Sequence, residues 1–210
     1  MSEQIIRNPQ IPIILITGGP GAGKTESKNT IVPALEKAGY APIFISETAT
    51  ELITSGISAD TVGNYEYQKE QLRKQIKKEN EAFRKAEDLL KSHQKPVIIC
   101  DRGILDGIAW SDEKQFDELL ESECLHRKEL IDRYNAVFHM ESAACRSASD
   151  YDQSNNEARI ATVEEACRLD HILAELYKPN TKWTFIASQK DPQAKMNKLA
   201  ALVLQFLVKR

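Results

Sequence analysis

The chain has 210 residues, with 28 basic and 31 acidic side chains and a formal net charge of -3. That length suits one α/β domain, with room for a small inserted lid and little for a second independent domain. The near balance of charge leaves no global positive field for nucleic acid or an anionic membrane, so any basic site must be local.

In chain order, Ile11 to Thr17 is a continuous apolar run and predicts a buried strand. A glycine turn follows, then a helix from Lys24 to Ala38, ended by Gly39 and disturbed only by Pro33, where a kink is expected. Pro42 to Ser46 predicts a second strand with Glu47 at its carboxyl end, the rim where open α/β sheets bind ligands. A long charged helix spans about Tyr65 to Leu90, with Tyr65, Leu72, Ile76, Phe83 and Leu90 on one stripe. Gln68, Gln75 and Glu79 fall on or beside that stripe, so they face inward and need polar partners.

Pro96 to Cys100 is the third strand and runs into Asp101-Arg102-Gly103. Helical patterns extend from Phe116 to Tyr134, Ala136 to Met140 is the fourth strand, and Ser142 to Glu157 is a polar, mobile-loop composition. Helix resumes from Ile160 to Tyr177, Trp183 to Ala187 is the fifth strand, and Pro192 to Val208 is an amphipathic closing helix. Alternating strands and helices imply a three-layer α/β fold, a mostly parallel five-stranded sheet with helices on both faces and a lid at about 142–159. No run is apolar enough for a membrane span, and Ile11 to Ile16 lacks a signal-peptide cleavage pattern, which implies a cytoplasmic protein. Cys100, Cys124, Cys145 and Cys167 are far apart and form no CxxC pair, the pattern of four reduced thiols rather than a zinc site or disulfide framework.

Gly18-Gly19-Pro20-Gly21-Ala22-Gly23-Lys24-Thr25 fits G-x-x-x-x-G-K-[ST] between a strand and a helix, the context the pattern requires. Small residues let successive N–H groups curl around phosphate, and the helix N-terminus adds its dipole. Gly18, Gly19, Gly21, Ala22, Gly23, Lys24 and Thr25 therefore form a cradle for ATP or GTP. Lys24 reaches toward the β- and γ-phosphates, and the Thr25 hydroxyl is a ligand for Mg²⁺.

A nucleotide-bound Mg²⁺ needs an acidic group at the end of a neighbouring strand, and Asp101 stands there, with turn capping as the alternative. Arg102 is a candidate for a phosphoryl or acceptor contact, against a surface ion pair. Asp106 is an acceptor contact or a helix cap, and Glu47 is a general base, a second metal contact or an N-cap. Arg146 and Arg159 bracket the polar loop, where guanidinium groups could close over transferring phosphate, with a solvated basic side chain as the alternative for each. Arg168 pairs with Glu164 on a helix surface, and Gln189 and Lys190 lie either at a rim suited to a nucleotide base or in a plain exposed turn.

Assembled, these segments resemble the NadR-like AAA-domain family of P-loop proteins, relatives of the nicotinamide riboside kinase domain and, more distantly, of deoxyribonucleoside and nucleoside monophosphate kinases. The resemblance spans roughly residues 11 to 188. It rests on Ile16 to Pro20 leading into Gly23-Lys24-Thr25, on Ser46-Glu47-Thr48-Ala49-Thr50, and on Asp101 to Asp106. Tyr67-Gln68 in the helix containing Glu79, and Asn156 to Arg159 leading into Leu169-Asp170 and Tyr177, extend it. It implies phosphoryl transfer from ATP or GTP, with Lys24, Glu47, Asp101, Arg102 and Arg159 as the catalytic set and Thr25 and Asp101 at the metal. Glu47, Gln68, Arg102 and Asp106 are then the acceptor-facing set. Tyr177-Lys178-Pro179-Asn180 departs from the glycine-bearing turn of the family, and Pro20-Gly21-Ala22 holds no unusual selectivity residue.

Three functions compete on this reading. One is a small-molecule kinase with a nucleoside-like or nucleotide-like acceptor; another is a nucleotide-dependent switch with slow hydrolysis. The last is a helical scaffold using Lys69 to Lys91, although interspersed charge there suits a solvated face. An N-K-x-D guanine motif is missing, since Asn180-Thr181-Lys182-Trp183 has the wrong spacing.

Overall fold

The buried apolar runs become strands of one sheet. In the computed structural model, which describes residues 4–147 and 161–210, these are β1 (Ile13–Thr17), β2 (Ala41–Ile45), β3 (Pro96–Asp101), β4 (Ala136–Met140) and β5 (Trp183–Ile186). Their order is β2-β3-β1-β4-β5, and every pairing is parallel. Strands β1, β3 and β4 are buried along their whole length, which is what the unbroken apolar sequence of a doubly covered sheet serves.

Strand alternation divides the interior into two cores. Ile14, Ile16, Val97 and Ile99 face α1 (Lys24–Lys37) and α9 (Pro192–Lys209), where Ile31, Leu35, Leu199 and Val203 meet them. Leu15, Ile98, Cys100 and Val137 face the other side, against Leu72, Phe83, Phe116 and Tyr134. That layer includes α4 (Asn64–Lys91), α5 (Glu113–Ser122) and α8 (Val163–Tyr177). Each large side chain removed from water contributes about 1.5–3 kcal/mol before entropy is charged against it.

Helix α1 is assigned continuously through Pro33 and closes in a Schellman turn, with Gly39 N donating to Glu36 O and Tyr40 N to Leu35 O. The stripe on α4 needs correction at Tyr65, which is 39% exposed, while Tyr67, Ala82 and Ala86 join the buried face. The helical stretch expected from Phe116 to Tyr134 is two helices, α5 and α6 (Arg127–Asp132), broken where Cys124 adopts a positive φ of 57°. Short helices α2 (Thr48–Thr54) and α3 (Ala59–Val62) precede α4, and a 3-10 turn covers Asp106–Trp110. The first residues assigned to the polar loop fold as α7 (Ala143–Arg146), capped by the Ser142 hydroxyl; most of the expected lid, including Arg159, lies outside the described residues. Arg168 pairs with Glu165, three residues away, rather than with Glu164.

The cysteine expectation is corrected for two of the four. Cys145 and Cys167 form a disulfide with Cα atoms 4.9 Å apart, whereas Cys100 and Cys124 are free. Their distance in sequence hid a juxtaposition made by topology, because α7 and α8 pack together at the sheet's carboxyl edge.

Candidate active site

The strand order creates the site. Because β3 lies between β1 and β2, the register pairs Ile16 with Asp101 and brings the third strand's carboxylate beside the turn that leaves β1. That turn depends on its first glycine: Gly18 has φ 143°, and a Cβ there would stand 2.1 Å from the Met140 carbonyl oxygen. Gly21 and Gly23 also have positive φ, at 72° and 80°. Gly19 presses against α8, where its N–H donates to Asp170 Oδ1 at 2.6 Å.

Lys24 is buried, and its Nζ donates to the Gly19 carbonyl at 2.8 Å, so the ammonium lies folded across the cradle. The Thr25 hydroxyl donates to Asp101 Oδ2 at 2.8 Å. The other carboxylate oxygen, Asp101 Oδ1, is buried with no hydrogen-bond partner. Burial pushes the Asp101 carboxyl up, opposed by the Lys24 and Arg102 charges. An orphaned carboxylate oxygen next to a threonine hydroxyl is an oxygen donor set that fits a hard divalent cation such as Mg²⁺.

Arg102 occupies the centre of the site, not the surface ion pair considered from sequence. Its Nε contacts Glu47 Oε1, its Nη1 lies 3.4 Å from Gly18 O and 3.5 Å from Asp106 Oδ2, and its guanidinium sits 4.8 Å from the centroid of Trp110. Glu47 stands at the N-cap position of α2, yet its carboxylate takes no helix N–H; its second oxygen accepts from the Thr50 hydroxyl at 2.8 Å. Asp106 is fully buried and surrounded by protein donors: Gly103 N at 3.0 Å, Tyr177 OH at 2.8 Å and Thr17 Oγ1 at 3.1 Å. This makes it the support beneath Arg102. It begins the 3-10 turn, whose N-cap is Leu105.

On the far side of Arg102 a cavity of about 300 Å³ is lined by Ala49, Ile53, Tyr67, Gln68 and Trp110, with Arg102 itself in the wall. Gln68 Oε1 is buried without a partner, and its Nε2 reaches only Asn64 Oδ1 at 3.4 Å. A larger hollow of about 660 Å³ lies among Glu51, Arg73, Lys74, Lys78 and Glu123. Several charges of its walls are paired, Arg73 with Glu123 and both Lys74 and Lys78 with Glu51, and no residue of the phosphate turn borders it.

Residues to which the sequence assigned no role at the cradle brace it. Asp170 also accepts from Ser142 N at 3.0 Å and meets His139 Nε2 at 3.2 Å. These hydrogen bonds hold its carboxyl below the usual range against the opposing effect of burial. Lys195 of α9 donates to Ala22 O at 2.8 Å and Glu141 O at 2.6 Å, and burial lowers its pKa to about 8. A buried strand histidine and an inward lysine on an amphipathic helix were the available signals. Neither identifies its partner without the fold. Arg146 lies half-buried at the end of α7.

A glycine cradle at the end of β1, a carboxylate at the end of β3 and the β2-β3-β1-β4-β5 order define a P-loop NTPase of the kinase-like type. A family of AAA domains matches residues 13–193, and the chain belongs to that family. No curated protein matches it in sequence. Among solved structures, NadR protein in complex with NAD and AMP-PNP is similar at 13% identity and a TM-score of 0.58, over 94% of this chain and 49% of that one. This chain thus spans about half the length of that protein. Thymidylate kinase from Ehrlichia chaffeensis (17% identity, TM-score 0.52) is covered over 100% of its chain and 95% of this one. Shikimate kinase from Acinetobacter baumannii in complex with shikimate (16%, 0.51) is covered over 94% of its chain and 95% of this one. At these identities the likeness is one of fold.

Proposed function

We propose that the chain is a phosphotransferase that binds ATP or GTP at Gly18 to Thr25 and passes the γ-phosphoryl group to a nucleoside-like or nucleotide-like acceptor. The observation that carries this is the position of Arg102, between the phosphate turn and a separate acceptor-sized cavity. A switch protein needs only the first of these features. Thr25 and Asp101 would hold Mg²⁺, which supplies charge neutralisation for the nucleotide phosphates. Lys24 exchanges the Gly19 carbonyl for a phosphate oxygen, retaining a charge-assisted hydrogen bond while gaining a charged partner.

In the cavity, Tyr67 and Trp110 supply aromatic lining for a planar group, and the Gln68 amide offers an unsatisfied acceptor to a ring N–H or a hydroxyl. Glu47 then takes the proton of the attacking hydroxyl once an incoming anionic group draws Arg102 from it. Asp106 keeps the turn beneath Arg102 fixed throughout. Arg146, together with Arg159 from outside the described residues, would complete the positive surround of the transferring group. NadR and thymidylate kinase among the fold neighbours support a nucleotide-handling site.

The test follows γ-phosphate from Mg-ATP and Mg-GTP with a panel of nucleosides, nicotinamide riboside and nucleoside monophosphates, separating phosphorylated product from free phosphate. Transfer to one acceptor, reduced about 100- to 1,000-fold in Lys24→Ala, is the expected result. Free phosphate alone, at the same slow rate with every acceptor, would move the assignment to a regulatory switch.

A further inference from the structure

The disulfide lies where the phosphate turn is braced. Cys145 is on α7, three residues after Ser142; Cys167 is on α8, three residues before Asp170. Those two neighbours are the turn's supports. Ser142 Oγ donates to Pro20 O, Ala143 N donates to Gly21 O at 3.3 Å, and Asp170 Oδ1 accepts from both Gly19 N and Ser142 N. The contact has no slack, because a Cβ on Gly19 would stand 2.8 Å from Asp170 Cβ. The covalent link therefore joins the two elements that fix the first half of the cradle.

We propose that Cys145 and Cys167 are a thiol–disulfide modification site that sets nucleotide affinity, a control that rests on the nucleotide-binding reading above. Both cysteines are half-buried, within reach of a small thiol reductant. Their surroundings give the exchange a direction. Cys145 Sγ lies 3.9 Å from Asp170 Oδ2, whose negative charge disfavours a departing thiolate; Cys167 Sγ lies 4.0 Å from His171 Nε2, which can stabilise or protonate one. An external thiolate, RS⁻, attacks Cys145 Sγ, the Sγ–Sγ bond breaks, and Cys167 leaves as the thiolate. A second RS⁻ attacks the reductant's sulfur in the mixed disulfide, giving RSSR and the Cys145 thiolate. Counted with protons, two RSH are oxidised by two electrons and the protein gains two thiols. Reduction removes the covalent link between α7 and α8, so Gly19 to Gly21 hold the phosphate-binding shape a smaller fraction of the time.

The test titrates a fluorescent ATP analogue into the wild-type protein, oxidised and then reduced with a phosphine, with Mg²⁺ in excess and a zinc-selective chelator present so that no transition metal bridges the thiols. The reduced form is expected to bind about five- to tenfold more weakly. The double variant Cys145→Ser/Cys167→Ser should match it under both conditions. Equal affinity of the two wild-type forms, or a redox response retained in the double variant, would overturn the proposal. Since the wild-type comparison needs no substitution, a variant that fails to fold does not remove the test. Nucleotide binding by neither form would instead defeat the underlying reading. Quenching partial reduction by a monothiol should place the mixed disulfide on Cys145; an adduct on Cys167 would overturn the direction of exchange.

Discussion

Glu79 offers a perturbation whose size follows from its contacts. Its carboxylate pairs with Arg133 Nε at 2.6 Å, both side chains fully buried, and accepts from Tyr134 OH at 2.9 Å and Gln75 Nε2 at 3.0 Å. Glu79→Ala leaves the Arg133 guanidinium in the core with Ile6 O as a remaining acceptor and Phe83 beneath it. Removing one partner of a buried pair costs about 3–5 kcal/mol, mostly as the penalty on the charge left behind. With about 2–4 °C lost per kcal/mol at this chain length, a 4 kcal/mol loss lowers Tm by roughly 8–16 °C. Denaturant unfolding should show a lower midpoint at unchanged slope. Glu79→Met combined with Arg133→Met should recover more than half the loss, since neither charge remains buried. The effect also reaches the site: Gln75 Nε2 bridges Glu79 to the Arg102 carbonyl at 3.2 Å, so acceptor KM should rise while nucleotide affinity stays constant. A loss below about 1 kcal/mol, or a double variant as unstable as Glu79→Ala, would refute the reasoning.

Gly18→Ala should abolish nucleotide binding and destabilise by about 3 kcal/mol or more, because its Cβ would overlap the Met140 carbonyl; calorimetric titration and thermal unfolding read both effects. Asp101→Asn should remove the Mg²⁺ dependence of nucleotide affinity while leaving metal-free binding unchanged or tighter, a comparison made by titration with and without the metal. Lys195 has a folded pKa of about 8, below its unfolded value, so the unfolded chain binds more protons between those values and stability rises with pH there. Relative to Lys195→Met, the wild type should gain about 1–2 kcal/mol from pH 8 to pH 9.5 in denaturant unfolding. Tyr177→Phe removes a donor from the buried Asp106 carboxylate and should cost about 1.5–3 kcal/mol, measured the same way.

Local chemistry wrote much of the fold into the sequence. Ile13 to Thr17 and Val97 to Cys100 are buried on both faces, and no amphipathic helix could carry such runs at that length. The phosphate turn was legible because its glycines answer a backbone requirement and Lys24 a chemical one. Tyr65 and the break at Cys124 were not legible: a helical period cannot say which edge of a stripe is covered, and a left-handed cysteine has no sequence signature. The bracing roles of Asp170, Ser142 and Lys195, and the Cys145–Cys167 pairing, were hidden for another reason. Each is defined by a partner distant in the chain, so its meaning exists only once α7, α8 and α9 meet the end of β1.

Arg102 shows why such long-range support matters. It holds φ 76°, a left-handed conformation that costs a non-glycine residue about 1–3 kcal/mol, although the next residue is a glycine that could take it more easily. Strain at that position persists because the backbone is held on both sides: its N–H donates to Ile16 O at 3.0 Å, and its carbonyl accepts from Gln75. Gln75 is in turn held by Thr48 at 2.5 Å and by Glu79. The side chain is then committed to Glu47, Gly18 O, Asp106 and Trp110, contacts shared between the phosphate turn and the cavity wall. A glycine would relieve the backbone and lose every one of those contacts, so the energy stored in the turn is spent on positioning a single cation. On the proposed function, that cation would answer to both ligands, because an anion drawing Arg102 away from Glu47 would also free the Glu47 carboxylate.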